Sequence, residues 1–300
     1  MTCFLPRFEK SENNDMDNTI TLQIPRHIHA KLPQEMIVDL ESALTELSAW
    51  TRNLPKESLF YLNIKPPYRQ LTQPIKGITQ LDLNIVDTLW DIHSLLVSQL
   101  LCKSWRAKQI AAGLKYALEE WNLTVAASMA RTLIETTCAW CIESRQITDT
   151  WLKHRLKEIK NAEDAFRVRM ALYDSSFQMV WGTRQPNLLS KSASDKWTRQ
   201  RTNIITLIRK AEKLFSRERL YKGYEVLCDA VHPSWGGDDV FWVEGGYNYE
   251  INQMRCLLNF EAIGQIAESV KSQVKPGSPL SRIILTEGAW ALRSLTHSFL

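Results

Sequence analysis

Between Tyr221 and Gly237 the chain reads YKGYEVLCDAVHPSWGG, and its polar side chains recur at helical spacing before stopping at a proline. Tyr224 and Cys228 stand four residues apart, Val231 and His232 follow within a residue of the same stripe, and Asp229 precedes the histidine by three. An α-helix therefore gathers them toward one face. Pro233 restricts His232 to extended or turn geometry and Gly236-Gly237 allow the chain to reverse, so the helix is expected to end at the histidine. An imidazole beside a phenol and a carboxylate is equipment for proton transfer; the same histidine serves equally as a plain helix cap. A second candidate pair, Arg131 and Glu135, stands at i, i+4 within NLTVAASMARTLIETTCAW, a helix otherwise built of apolar and small residues. Charges so placed need partners. They can satisfy one another, although arginine first is the less favourable order, or line a polar site shared between helices.

The elements that must position these residues are helical. From Pro33 the pattern LPQEMIVDLESALTELSAWTRNL puts Met36, Leu40, Ala43, Leu44, Leu47 and Trp50 on one stripe. Prolines at 55, 66, 67 and 74 then mark a connector. Helical stripes begin near Thr79 or Asp82 and continue with interruptions to Val180: one through Leu100, then Trp105 to Trp121, Leu123 to Ile142 and Thr150 to Val180, with Asn122 and Asp149 as expected helix starts. A loop follows from Trp181, then one helix over 196–222, the helix ending at His232, a short β or loop insertion near 236–247, and two last helices over 248–274 and 280–298. The expectation is an all-α, multi-helix bundle. Its parts are a flexible N-terminal arm over 1–32 with one extended piece, an N-terminal helix and proline-rich connector over 33–78, and a helical bundle domain over 79–300.

Composition narrows the function classes. Lys and Arg total 37 against 33 acids, so the net charge of +4 does not by itself announce a nucleic-acid binder. The excess is local. The 196–222 stretch carries Lys196, Arg199, Arg201, Arg209, Lys210, Lys213, Arg217, Arg219 and Lys222 against Glu212 and Glu218, immediately before the Tyr224–His232 segment, and so can steer a phosphate-bearing ligand toward it. An amphipathic helix with a basic outer face is the plainer alternative. No apolar run approaches the roughly 20 residues that cross a bilayer, and the first residues lack a leader pattern, so a cytoplasmic protein with no membrane partner is expected. The six cysteines are expected reduced, with Cys138-Ala-Trp-Cys141 as core packing rather than a redox pair. His27 and His29, on one face of the extended piece, have no neighbouring ligand cluster, and no metal or cofactor is expected. Asp238, Asp239 and Glu244 are read as solvated loop acids, with a metal-dependent hydrolase using His232 with Asp229, Asp238 or Asp239 as a third alternative.

With Arg131 and Glu135 on one helix and Tyr224, Asp229 and His232-Pro-Ser on a later one, residues 80–275 resemble bacterial helical families allied to the HEPN group. The resemblance implies a helical bundle, frequent dimers and, in many members, metal-independent RNA cleavage, often in toxin–antitoxin or phage-defence settings. The group's usual signature has an arginine four to six residues before the histidine; Val226, Leu227 and Cys228 fill that window here. Cleavage would then need Arg131 to reach the site from its own helix and stabilise charge on phosphorus. Glu135 would hold it, His232 would act as acid or base, and Tyr224 and Asp229 would orient the imidazole. The expected partners are RNA, a protein encoded nearby and a second copy of the chain. The alternative is a non-catalytic helical scaffold or partner-binding subunit, in which Arg131–Glu135 is an internal pair and His232 a cap. Geometry separates the two: catalysis needs Arg131, Tyr224 and His232 to converge on an open cleft.

Overall fold

A computed structural model describes residues 19–30, 32–52, 54–55, 80–155, 159–183, 199–200, 202–232, 242–248, 253–258 and 279–299. Their helices are α1 (Arg26–His29), α2 (Gln34–Arg52), α3 (Gln80–Glu119), α4 (Leu123–Arg155), α5 (Ala162–Trp181), α6 (Ile204–Leu214), α7 (Leu220–Val231) and α8 (Pro279–Phe299). The fold is an all-α bundle that carries two small strand pairings. β1 (Gly182–Thr183) runs parallel to β2 (Arg199–Gln200), and β3 (Trp242–Asn248) runs antiparallel to β4 (Gln253–Leu258), with an irregularity between Trp242 and Glu244.

α4 is the hub, packed against α3, α5, α6, α7 and α8, while α8 also lies against α2 and α7. Small residues make this possible. Ala126, Ala127, Ala130, Cys138 and Ala139 of α4 are buried, so neighbouring helices approach its backbone closely. Leu40, Leu114, Leu133, Ile134, Ile208, Leu227, Ile284 and Leu285 fill the core between them.

The long helices run further than the sequence periodicity indicates. α3 is continuous through the expected interruption between Leu100 and Trp105, and α4 passes through Asp149, which is mid-helix rather than a helix start. Asn122 does start α4: its Oδ1 accepts from Val125 N at 3.1 Å. The preceding stop is left-handed at Trp121 (φ 52°), with Asn122 N donating to Ala117 O at 2.7 Å and Trp121 N to Leu118 O at 3.1 Å.

Three further expectations need correction. The single helix over 196–222 is β2, then α6, then a turn, then α7. Asn203 caps α6 by accepting from Ile205 N at 2.9 Å, and α6 ends where Ser216 (φ 48°) turns left-handed and Arg217 N donates to Glu212 O at 3.0 Å. The helix expected from Asn248 is, over 253–258, the strand β4. Its QMRCLL pattern also fits a pleated ladder, and pairing with the aromatic and β-branched β3 decides between the two; 259–278 lie outside the described residues. Finally, the described part of the N-terminal arm is not solvated. Leu22, Ile24, Ile28 and Leu32 join the main core, and Arg26–His29 is a helical turn rather than an extended piece. Residues 1–18 and most of the connector, 56–79, lie outside the described residues, as do 184–198.

Candidate functional site

The site forms where α7 is pressed between α4 and α8. Leu220, Gly223, Leu227 and Ala230 are the buried stripe of α7, and Tyr224, 5% exposed, belongs to it. The Tyr224 hydroxyl donates to Glu135 Oε1 at 2.8 Å, and Arg131 Nε donates to the same oxygen at 3.1 Å. The Arg131 guanidinium lies 5.7 Å from the centre of the Tyr224 ring. One carboxylate oxygen thus ties a phenol from α7 to a cation on α4, and the ring's electron-rich face adds to the attraction. The i, i+4 pair satisfies itself and recruits the tyrosine.

Electrostatics decide what this group can do. Burial first, then the hydrogen bond to Glu135 and the neighbouring Cys228, hold the Tyr224 phenol well above its ordinary value. Burial pulls the Arg131 guanidinium down, but Cys228, Tyr224 and Glu135 outweigh it, and the net shift is upward. Near neutral pH the phenol keeps its proton and the guanidinium its charge. A general acid or base works best with a pKa near the working pH, and neither group is so poised.

His232 and Asp229 stand apart. Both are exposed. His232 ends α7 with extended backbone (φ −78°, ψ 146°), as a residue before proline must, and its N–H donates to Cys228 O at 3.0 Å. Eight residues separate it from Tyr224, a rise of about 12 Å along the helix axis. Among the described residues no hydrogen bond or ion pair joins His232 or Asp229 to Arg131, Glu135 or Tyr224. The structure therefore brings together Arg131, Glu135, Tyr224 and, beside them, Cys228; it does not add the imidazole.

A second clamp holds the other side of α7 and has no counterpart in the sequence reading. Arg217, in the α6–α7 turn, donates through Nε and Nη2 to the two carboxylate oxygens of Glu287 on α8, each at 3.1 Å. Its guanidinium lies 5.2 Å from the Trp290 ring centre, and Phe215 meets the same ring edge-on at 5.7 Å. A Cβ on Gly223 would come within 3.3 Å of Glu287 Cγ, so α7 passes close to that carboxylate because residue 223 has no side chain. Burial raises the Glu287 carboxyl and Arg217 partly offsets it. The turn between Ser216 and Arg219, both left-handed, is held from outside by this bidentate pair. Sequence offers one signal for it, the lone acid of the stretch LTEGAWALRSL.

Cys138 lies between the clamps. Its thiol is pushed far up by burial, with Cys141, Glu287 and Glu135 adding to the effect. Cys141 is also raised by burial, while Ser298 pulls it down. The Cys138-x-x-Cys141 pair is core, with both thiols free and buried.

The expected basic residues divide. Arg209, Lys210 and Lys213 are exposed on α6, opposite buried Leu207, Ile208 and Ala211; Arg219 and Lys222 are exposed at the start of α7. Arg209 lies 4.7 Å from the ring centre of Tyr221. Arg217 faces inward to Glu287, a correction to its place among the binding residues, because the largely buried carboxylate takes the Nε–Nη2 edge of its guanidinium. Arg199 lies in β2 rather than on a helix, and Arg201 lies outside the described residues. An open depression of about 370 Å³ adjoins the turn, lined by Glu212, Lys213, Ser216, Glu218 and Arg219. Among the described residues no three of His, Cys, Asp and Glu gather as metal ligands, and no helix is long and apolar enough to cross a membrane. Asp238 and Asp239 lie outside the described residues. Comparison with family models, curated proteins and solved structures finds no match for the chain.

Proposed function

We propose that the protein is an RNA-binding helical protein that works without cleavage chemistry at Arg131, Glu135 and Tyr224, and that Arg209, Lys210, Lys213, Arg219 and Lys222 contact the phosphate backbone. The observation that carries this reading is the disposition of charge around α6 and the turn after it. The five cations are exposed, against exposed Glu218 and half-buried Glu212 in the same stretch. Glu212 Oε1 accepts from Tyr221 N at 3.3 Å, and Glu287 takes Arg217 inward. What faces solvent over 202–222 thus keeps a positive excess, smaller than the sequence count because Glu287 neutralises Arg217. Arg209, its guanidinium 4.7 Å from the Tyr221 ring centre, adds a cationic and aromatic surface on which a base can lie. Phosphate contacts of this kind supply affinity without sequence preference.

The test is fluorescence anisotropy with a labelled single-stranded RNA at several salt concentrations. Reversing charge in R209E/K210E/K213E weakens binding by at least about tenfold and flattens the slope of log affinity against log salt by roughly two, since each phosphate neutralised on a single strand contributes about 0.7. Equal binding by the wild-type protein and this variant refutes the assignment.

A second reading, HEPN-like ribonuclease action, keeps one observation in its favour: His232 is exposed at the end of α7, where a ligand can reach it. It requires a guanidinium to arrive there from somewhere other than Arg131, whose Nε is committed to Glu135. His232→Ala is its test, because cleavage by the wild-type protein that disappears in this variant supports it.

A further inference from the structure

The depression beside the α6–α7 turn holds a combination that phosphate binding alone leaves unexplained. Its lining is Glu212, Lys213, Ser216, Glu218 and Arg219, so two carboxylates share it with two cations. Among the described residues neither cation forms an ion pair with either acid, and Glu218 has no hydrogen bond or ion pair at all. Glu212 is committed through Oε1 alone, to Tyr221 N at 3.3 Å. An open carboxylate repels phosphate, yet it suits a base, whose N–H groups need acceptors. The depression is also preformed. Ser216 (φ 48°) and Arg219 (φ 71°) are left-handed without being glycine, a conformation that persists only where the surroundings impose it. Arg217 N donates to Glu212 O at 3.0 Å, and the Arg217 side chain, held on both oxygens of Glu287 at 3.1 Å each, anchors the turn from its inner side. Ser216, Glu218 and Arg219 stay exposed. At about 370 Å³ the space falls within the roughly 300–1,000 Å³ of small-ligand sites.

We infer that this depression receives one unpaired guanine of a single-stranded RNA, with Glu218 as the residue that recognises the base. The inference rests on the RNA-binding reading and adds a sequence preference to it. Guanine's Watson–Crick edge presents N1–H and an N2–H side by side, and one carboxylate accepts both with its two oxygens. Adenine and cytosine place an acceptor nitrogen next to their amino group, and uracil flanks its N3–H with two carbonyl oxygens. Each of these turns a lone pair toward the second carboxylate oxygen. Lys213, Ser216 and Arg219 supply donors for guanine O6 and for the phosphates on either side. A duplex hides the same edge in pairing, so the preference is for an unpaired strand.

Fluorescence anisotropy of the intact chain with labelled RNA tests this, using a short uridine tract with one central guanosine and the same tract of uridine alone. The guanosine probe binds at least about fivefold tighter, and inosine in its place, which lacks the N2 amino group, removes most of that margin. In Glu218→Gln the margin falls below about twofold, because an amide offers one acceptor where the carboxylate offers two. Glu218 is exposed, so the substitution spares the fold, which far-UV circular dichroism checks. R209E/K210E, outside the depression, weakens both probes by a similar factor and keeps the margin. Equal binding of the two probes by the wild-type protein overturns the inference, as does a margin that survives Glu218→Gln. If R209E/K210E still weakens both probes in that case, the RNA-binding reading stands without the guanine preference. Binding of neither probe overturns both.

Discussion

Replacing Arg217 with methionine removes one half of the clamp that fixes α7 against α8, and the structure sets the size of the effect. The substitution deletes two hydrogen bonds of 3.1 Å and the cation over Trp290, and it leaves the Glu287 carboxylate without its counter-charge in a site where that side chain is 12% exposed. Breaking a fully buried pair from one side costs about 3–5 kcal/mol. Arg217 is itself 26% exposed, so water reaches part of the gap, and about 2–3 kcal/mol is the expected loss near neutral pH. In a chain of this size that lowers Tm by roughly 5 °C. The loss also depends on pH. Glu287 already has a raised pKa, from burial. In the folded state it therefore binds a proton more readily than in the unfolded chain, so the stability linked to it is full below the ordinary carboxylate value and falls as pH rises through the folded one. Without Arg217 that fall is larger, so the deficit of R217M shrinks between about pH 7 and about pH 5. Urea denaturation followed by far-UV circular dichroism at both pH values measures it. A loss under about 0.5 kcal/mol, or one that does not change with pH, refutes the claim that a buried carboxylate depends on this arginine.

The other clamp and the close contacts make further predictions. Tyr224→Phe loses the hydrogen bond to Glu135 and lowers stability by about 1–2 kcal/mol, read from the urea midpoint; the cost is moderate because Arg131 still pairs with the carboxylate. Gly223→Ala and Gly113→Ala separate helix propensity from crowding. At 223 the new methyl meets a Glu287 held on both oxygens, and stability falls by about 1 kcal/mol. At 113 it meets the flexible Met129 Sδ at 3.0 Å, which can move aside, and thermal melting shows no loss or a gain of up to about 1 kcal/mol. Maleimide labelling of the native protein, located by peptide mapping, modifies exposed Cys102 and leaves Cys138 and Cys141 unmodified until urea unfolds the chain.

How far these features can be read from sequence depends on whether they are local. Helix identity follows from the 3.6-residue periodicity, and α2, the start of α4 at Asn122 and the end of α7 at His232-Pro233 are legible residue by residue. Arg131–Glu135 is legible too, because a charged i, i+4 pair in a small-residue helix must be partnered. Its attachment to Tyr224 is expected only as convergence, since 89 residues separate that tyrosine from Glu135. The stop at Ser216 is hidden because a non-glycine left-handed residue carries no sequence mark, and the arginine that stabilises the turn finds its partner 70 residues away. The same holds at the N-terminus. TITLQI shows its alternation, but nothing local says that Glu41, Thr45 and Glu119 take its N–H groups and make it core. The distance between His232 and Tyr224 follows from helix geometry alone, and it separates the imidazole from the other candidate groups.

The most direct test of the account follows binding and integrity of one end-labelled RNA in a single titration of the wild-type protein, with His232→Ala and Tyr224→Phe alongside. The account predicts that all three proteins shift the RNA with the same salt dependence and leave it full-length throughout. Cleavage by the wild-type protein that is lost in His232→Ala, or no shift even at low salt, contradicts it.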